Sequence, residues 1–203
     1  MHLRRFAPLA ALLILASCSS SPGPETKKKP VEPPKPVSGL SAIFKMYQVA
    51  RTWAPDAMPY KMQSVNLESV KSEDGKAGAW TATFVSESRR KQRSYSFSAI
   101  EGEGFHKDVF AQQEESFMGA TPQARPFRIE ALRADTTKAY EVAVKKSVEY
   151  MKKNPGMTTF ITLDYGDRFP NPAWRVLWGQ SVSTSGYSIF VDTVTGEFLQ
   201  TGR

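Results

Sequence analysis

The sequence predicts an α+β fold of two tandem repeats, each one helix packed on a small antiparallel sheet of three or four strands. Three observations carry this. Short matches recur at a nearly constant offset: Tyr47-Gln48-Val49-Ala50 returns as Tyr140-Glu141-Val142-Ala143 after 93 residues, and Ala79-Trp80 as Ala173-Trp174 after 94. Tyr95-Ser96 returns as Tyr187-Ser188 and Gly104 as Gly196, both after 92. In each copy a stretch with apolar residues at helical spacing comes first. Stretches in which apolar and polar residues alternate follow it, as in half-buried strands.

Ahead of the repeats lie two segments of different character. Residues 1–17 combine His2, Arg4 and Arg5 with an apolar run from Phe6 to Ala16 and small residues at its end. That is the order of an export signal, and the run is far shorter than the ~20 apolar residues that span a bilayer. Leu15-Ala16-Ser17-Cys18 resembles a bacterial lipobox. The resemblance implies that Cys18 is acylated, becomes the first mature residue and holds the protein to a membrane by lipid. Several acyl chains anchor stably where one does not. Ser19 after the cysteine resembles the outer-membrane transfer signal of Gram-negative bacteria, which implies a periplasm-facing outer-membrane location in such a host.

Residues 18–37 read as a tether. Six prolines, a Ser triplet, Lys27 to Lys29 and Lys35 leave nothing larger than valine to bury. Such a segment is expected to stay unfolded with a polyproline II bias. The repeats are placed at 38–118 and 119–203. From Ser38 onward 21 Lys and Arg face 18 Asp and Glu, too mild a balance for a nucleic-acid partner. Cys18 is the only cysteine, so no internal disulfide is available.

Within the first repeat Ile43, Tyr47, Ala50 and Ala54 share a helical face, and Pro55 ends the helix. Met62 to Leu67 reads as the leading strand, followed by alternating Trp80/Ala82/Phe84 and Tyr95/Phe97/Ala99 and a short fourth strand near Phe105–Gln112. In the second, Tyr140, Ala143, Val144, Val148 and Met151 form the stripe, with Asp135 or Thr136 as the cap and Asn154-Pro155-Gly156 as the stop. Strands follow at Thr158 to Tyr165, around Trp174/Val176/Trp178, around Tyr187/Ile189/Val191 and at Glu197–Thr201. A helix laid on each sheet is the expected layering, with Trp80, Trp174, Trp178, Tyr95 and Tyr187 assigned to packing.

Pro172-Ala173-Trp174-Arg175-Val176, and Tyr187 to Glu197 with its Val191-Asp192-Thr193-Val194-Thr195-Gly196 run, resemble a PepSY domain. The first repeat departs from that pattern, since Ile100-Glu101-Gly102-Glu103-Gly104 keeps only the last glycine, although Ala54-Pro55-Asp56-Ala57 still resembles the helix exit. The resemblance implies a non-catalytic module that binds and restrains partner proteins outside the cytoplasm, peptidases among them. Two such units also resemble secreted β-lactamase inhibitor proteins in architecture.

Candidate chemistry is thin. His106 is the one histidine of the mature chain and no G-x-S-x-G surrounds a serine, so neither a metal cluster nor a triad is expected and no cofactor is called for. Asp164 and Asp167 could divide acid and base roles, but Leu163 to Pro172 reads as turn chemistry. Asp192, Thr195 and Gly196 are read as a structural turn, the carboxylate accepting amide hydrogens and the glycine taking positive φ. Arg89, Arg90, Lys91 and Arg93 form the dense basic cluster, a solvated hairpin or a contact for an anion or an acidic partner. The function read from the sequence is a lipid-anchored, non-enzymatic module binding an envelope protein. The alternatives are a structural envelope component without a ligand and a hydrolase of envelope polymers.

Overall fold

A computed structural model of the protein describes residues 33–179 and 183–202. The lipobox and most of the tether, Cys18 included, lie outside them. In chain order the elements are β1 (Val37–Ser38), α1 (Gly39–Trp53), β2 (Met58–Val65), β3 (Lys76–Ala77), β4 (Ala79–Ser86), β5 (Lys91–Ser98) and β6 (Asp108–Ser116). Then come α2 (Thr136–Lys146), α3 (Val148–Lys153), β7 (Thr159–Asp164), β8 (Ala173–Trp178), β9 (Ser188–Asp192) and β10 (Phe198–Gly202).

The expectation of two separate helix-on-sheet repeats is wrong. Eight strands form one antiparallel sheet in the order β10-β9-β8-β7-β2-β4-β5-β6, and β1 with β3 makes a separate two-stranded ribbon, so strands dominate the architecture. The reason is edge chemistry. As the leading strands of two small sheets, β2 and β7 would each leave a row of backbone N–H and C=O groups unpaired. They pair with each other instead, Met62 opposite Leu163 and Gln63 opposite Thr162. Just past that ladder the Ile161 amide donates to Ser64 Oγ at 2.9 Å.

Register then sorts the side chains. One row across the sheet reads Val191, Trp174, Leu163, Met62, Ala82, Tyr95 and Ala111. Both helices pack on this face. Ala42, Ile43, Met46 and Ala50 of α1 and Ala139 and Ala143 of α2 join Trp80, Phe84, Phe97, Val176 and Ile189 in one core. The neighbouring row reads Phe190, Arg175, Thr162, Gln63, Thr81, Ser96 and Phe110, and it points away from the helices.

The helices are held by two tryptophans and a shared cap. Trp80 and Trp174 are both fully buried. Their indole N–H groups donate to Val37 O at 2.9 Å and Ala134 O at 2.7 Å, in each case two residues before the helix begins. Asp135 Oδ1 accepts from Thr136 N at 2.7 Å and from Leu40 N at 3.0 Å, and Thr136 Oγ1 accepts from Gly39 N at 2.8 Å. One carboxylate and one hydroxyl thus serve orphan amides at the N-termini of both helices, where the helix dipoles favour negative charge. Gly39 permits this approach, since a Cβ there would meet Thr136 Cγ2 at 2.5 Å.

The second helix differs from its sequence reading in one respect. It breaks at Ser147, whose φ of −115° and ψ of 12° separate α2 from α3. The break swings Val148 out of the apolar stripe and leaves it 46% exposed.

Asp135→Ala removes caps from two helices at once and is expected to cost about 2 kcal/mol of folding stability, with Asp135→Asn intermediate because it keeps the acceptor. Denaturant unfolding monitored by circular dichroism tests this; equal midpoints for wild type and Asp135→Ala would refute the shared cap.

Candidate functional site

The helix-free face of the sheet carries the candidate site. An open cleft of about 390 Å³ lies across the β7-β2-β4-β5-β6 strands, lined by Lys61, Gln63, Thr81, Thr83, Ser94, Gln112, Thr162 and Asp164 with Met62 and Ala82. These polar side chains sit there because each alternates with a core residue: Thr81 and Thr83 with Trp80, Ala82 and Phe84, and Gln63 with Met62. Thr83 Oγ1 lies 3.1 Å from Ser94 Oγ, and Thr162 Oγ1 donates to Asp164 Oδ2 at 2.9 Å. On the flanking strands Arg175 donates to Ser188 Oγ at 3.0 Å and lies 5.2 Å from the centre of the Phe190 ring, which Arg168 covers at 4.2 Å. The cleft offers hydroxyl and amide groups that both donate and accept, with the Lys61 cation on β2 and the Asp164 carboxylate on neighbouring β7.

Asp164 is the perturbed group of this face. Its side chain reaches solvent at the cleft rim, yet desolvation by the surrounding protein pushes its pKa up, against the opposing pull of the Thr162 hydroxyl and the Arg175 and Arg168 cations. It ends strand β7, inside the span Thr158 to Tyr165 that the sequence marks as a strand, and not in the turn chemistry also read over Leu163 to Pro172. Asp167 does lie in that turn, where it pairs with Arg125. The two acids therefore do different things, and Asp164 is the one carboxylate lining the cleft.

The remaining sequence candidates fall elsewhere. Asp192 sits at the end of β9, with Oδ1 accepting from Val194 N at 2.7 Å and Thr195 N at 2.9 Å and Oδ2 accepting from Asn171 Nδ2 at 3.0 Å. Thr195 Oγ1 accepts from Glu197 N at 3.2 Å, and Gly196 takes φ 73° while its N–H donates to Asp192 O at 2.9 Å. Desolvation raises the Asp192 pKa, but the hydrogen bonds from Asn171, Thr195 and Val194 outweigh it and the net shift is downward.

The basic cluster flanks the β4–β5 turn, and most of it is engaged. Arg89 donates to Trp53 O at 2.7 Å, satisfying the last carbonyl of α1, and pairs with Glu114 at 3.0 Å. Its guanidinium lies 5.2 Å from the Trp53 ring centre, while the Trp53 indole donates to Glu114 at 2.9 Å. Lys91 approaches Glu114 at 3.9 Å, and Arg93 donates to Gln112 O at 2.6 Å. Arg90 is exposed at the turn with φ 52°. His106 is exposed and bonds Glu101 at 2.9 Å. Among the described residues no group of three or more His, Cys, Asp or Glu is placed to hold a metal ion, and no helix is long and apolar enough to cross a membrane.

The cleft itself escaped the sequence reading, which placed no site there. The alternation of Thr81, Thr83, Ser94 and Ser96 was the available signal, read only as a wet face. What no single strand reveals is that five strands bring such residues together.

Fold and site together define a helix-backed antiparallel sheet with an open polar face. Neither a protein-family model nor a curated protein sequence matches the chain. Among solved structures the chain is similar to one described as "a putative lipoprotein (CD1622) from Clostridium difficile 630", at 14% sequence identity and a TM-score of 0.43, over 79% of this chain and 91% of that one.

Two outcomes test the site's energetics. Asp192 has a depressed folded-state pKa, so its contribution is present above the unfolded value of about 4 and lost as pH falls through the folded value. Asp164 works in the opposite sense, costing stability once ionised. At neutral pH Asp192→Asn is therefore expected to lower the melting temperature and Asp164→Asn to raise it; shifts of the same sign would overturn one assignment. Gly196→Val is expected to destabilise by about 2 kcal/mol, because φ is positive and a Cβ would meet Ala134 Cβ and Lys138 Cγ at 3.3 Å. An unchanged thermal midpoint would refute it.

Proposed function

We propose that the protein is a lipid-anchored lipoprotein of the cell envelope that acts as a non-catalytic binding module and receives an envelope protein on the open face of its sheet. Anchoring rests on Leu15-Ala16-Ser17-Cys18 and the tether behind it. In a Gram-negative host, Ser19 favours the periplasmic side of the outer membrane. The observation that carries the binding role is the bare polar face, where side chains from five neighbouring strands converge on one cleft while both helices cover the opposite side. Convergent polar groups in a concavity fix the orientation of a ligand. A hydrolase reading is less well supported. Glycoside hydrolysis uses two carboxylates flanking the bond, and this cleft is lined by Asp164 alone. The PepSY resemblance makes an envelope peptidase the first partner to try.

Three measurements test the reading. Labelled palmitate is expected to enter the full chain in its native host and not a Cys18→Ser variant; equal labelling would remove the anchor. The mature chain carrying Cys18→Ser is then used to capture partners from native envelope extract, beside Gln63→Arg and Arg90→Ser variants. A near-stoichiometric partner lost with Gln63→Arg and kept with Arg90→Ser is the expected result. Loss with Arg90→Ser alone would move the contact to the β4–β5 turn and overturn the cleft. Hydrolysis of envelope polymer by the wild type, abolished in Asp164→Asn, would replace the binding reading with the enzymatic one.

A further inference from the structure

The end of the molecule formed by α2, α3 and the rim of β9 and β10 combines positive charge with exposed apolar surface. Lys145, Lys146, Lys152 and Lys153 are all exposed there. A second open cleft of about 400 Å³ is lined by Lys145, Lys146, Val148, Glu149, Tyr150, Lys153 and Tyr187. Its wall is aromatic, with the Tyr150 and Tyr187 rings stacked 4.1 Å apart at 9°, and Tyr187 Oη donating to Lys146 O at 3.4 Å.

Apolar side chains surround it. Val148 is 46%, Met157 39% and Phe198 37% exposed. Two contacts make the surface continuous: Tyr150 Oη lies 3.8 Å from Met157 Sδ, and Lys146 Nζ sits 4.9 Å from the Phe198 ring centre. Two glutamates temper the charge, Glu141 pairing with Lys138 and Lys145 and Glu149 with Lys152 at 3.0 Å. Lys146 and Lys153 make no ion pair among the described residues and stand at the cleft.

From this surface we infer that the α2–α3 end docks reversibly onto the anionic headgroups of the membrane to which the protein is tethered, an inference that rests on the lipid-anchor reading. Lysine ammonium groups at the cleft neutralise headgroup phosphodiesters, while Val148, Met157 and Phe198 enter the boundary between headgroups and acyl chains. The tether argues for a membrane as the occupant over an acidic protein. It enters the fold at β1, beside the N-terminus of α2, and the 11 residues of α2 carry the chain only about 17 Å to the basic end. The roughly twenty residues behind Cys18 reach up to about 60 Å when extended. A bilayer held by the lipid is thus always within reach of the patch, at high effective concentration. Docking through this end leaves the opposite, open face of the sheet to a partner.

The test uses the mature chain with Cys18→Ser, so that no acyl chain contributes, and phosphatidylcholine vesicles with or without phosphatidylglycerol. Sedimentation is expected to show binding only to the anionic vesicles, weakened by high salt. Replacing Lys145, Lys146, Lys152 and Lys153 by Gln is expected to weaken it at least about ten-fold, given about five-fold per charge near a surface. Val148→Glu is expected to weaken it as well, and replacing Lys27, Lys28 and Lys29 by Gln to weaken it less than the helix variant does. All four lysines are exposed, and far-ultraviolet circular dichroism checks that the variant is folded. No binding to anionic vesicles, equal binding to both kinds, or a greater loss from the tether variant would overturn the inference. Palmitate labelling separates this from failure of the anchor itself: labelling with no vesicle binding refutes only the docking, whereas absent labelling removes the tether argument beneath it.

Discussion

The structure depends on the pairing of β2 with β7. Two Cα partners, Met62 with Leu163 and Gln63 with Thr162, join the halves of the sheet. Because side chains alternate with period two, a slip of one residue at this seam would send Met62 or Leu163 to the helix-free side and bring Gln63 or Thr162 into the core. The seam is short for that task, and it does not act alone. The shared Asp135/Thr136 cap fixes the start of α1 against the start of α2. Trp80 and Trp174 tie each helix entry to its own half of the sheet. Cap, indoles and seam close a loop of constraints around the core, each satisfying backbone groups that would otherwise be buried without partners.

That closure explains what could be read from the chain and what could not. Helical stripes and strand alternation are local, so Trp80, Ala82 and Phe84 declared a buried face without any tertiary information, and Asp135 or Thr136 declared a cap. The assembly is not local. The alternation in β2 and β7 says that each strand has one buried face, but nothing in Met62 to Val65 states which strand lies beside it. Two small sheets and one large sheet satisfy the same pattern; they differ in how many edges remain open, and the larger sheet leaves fewer. The same gap hid the cleft, since Gln63, Thr81, Ser94 and Thr162 are far apart in sequence and meet only through the ladder. Asp164 falls where a strand reading and a turn reading overlap, for a related reason. Its neighbours Tyr165-Gly166-Asp167 are turn-like, while its own position is set by pairing of β7 with β8, where it stands opposite Ala173.

Asp164 and Asp192 show how one residue type serves opposite ends within one sheet. Both sit at the last position of a strand. Asp192 collects donors from two backbone amides and one carboxamide, so ionisation is favoured and the turn tightens around it. Asp164 receives a single hydroxyl, and desolvation by the surrounding protein outweighs that bond and the nearby Arg175 and Arg168 charges, so its pKa moves up. The same side chain thus tightens a turn at the end of β9 and stands at the rim of the cleft at the end of β7.

The polarity of the open face follows from the same economy of layers. A sheet backed by helices on one side only must solvate the other. Part of this one does so with hydroxyls that find partners nearby: Thr83 with Ser94, Ser98 donating to Ile100 O, and Ser188 accepting from Arg175. The outward rows also carry Phe110 and Phe190, so a partner there gains from orientation and matched hydrogen bonds as well as from burial. Such contacts are individually weak, because each replaces a bond to water. In the proposed reading, a lipid tether compensates by raising the local concentration of the module near a membrane-bound partner, without any increase in intrinsic affinity. Anchor, tether and bare face are thus mutually consistent. A strongly apolar face would bind a partner more tightly, but while uncovered it would also expose a patch liable to aggregation.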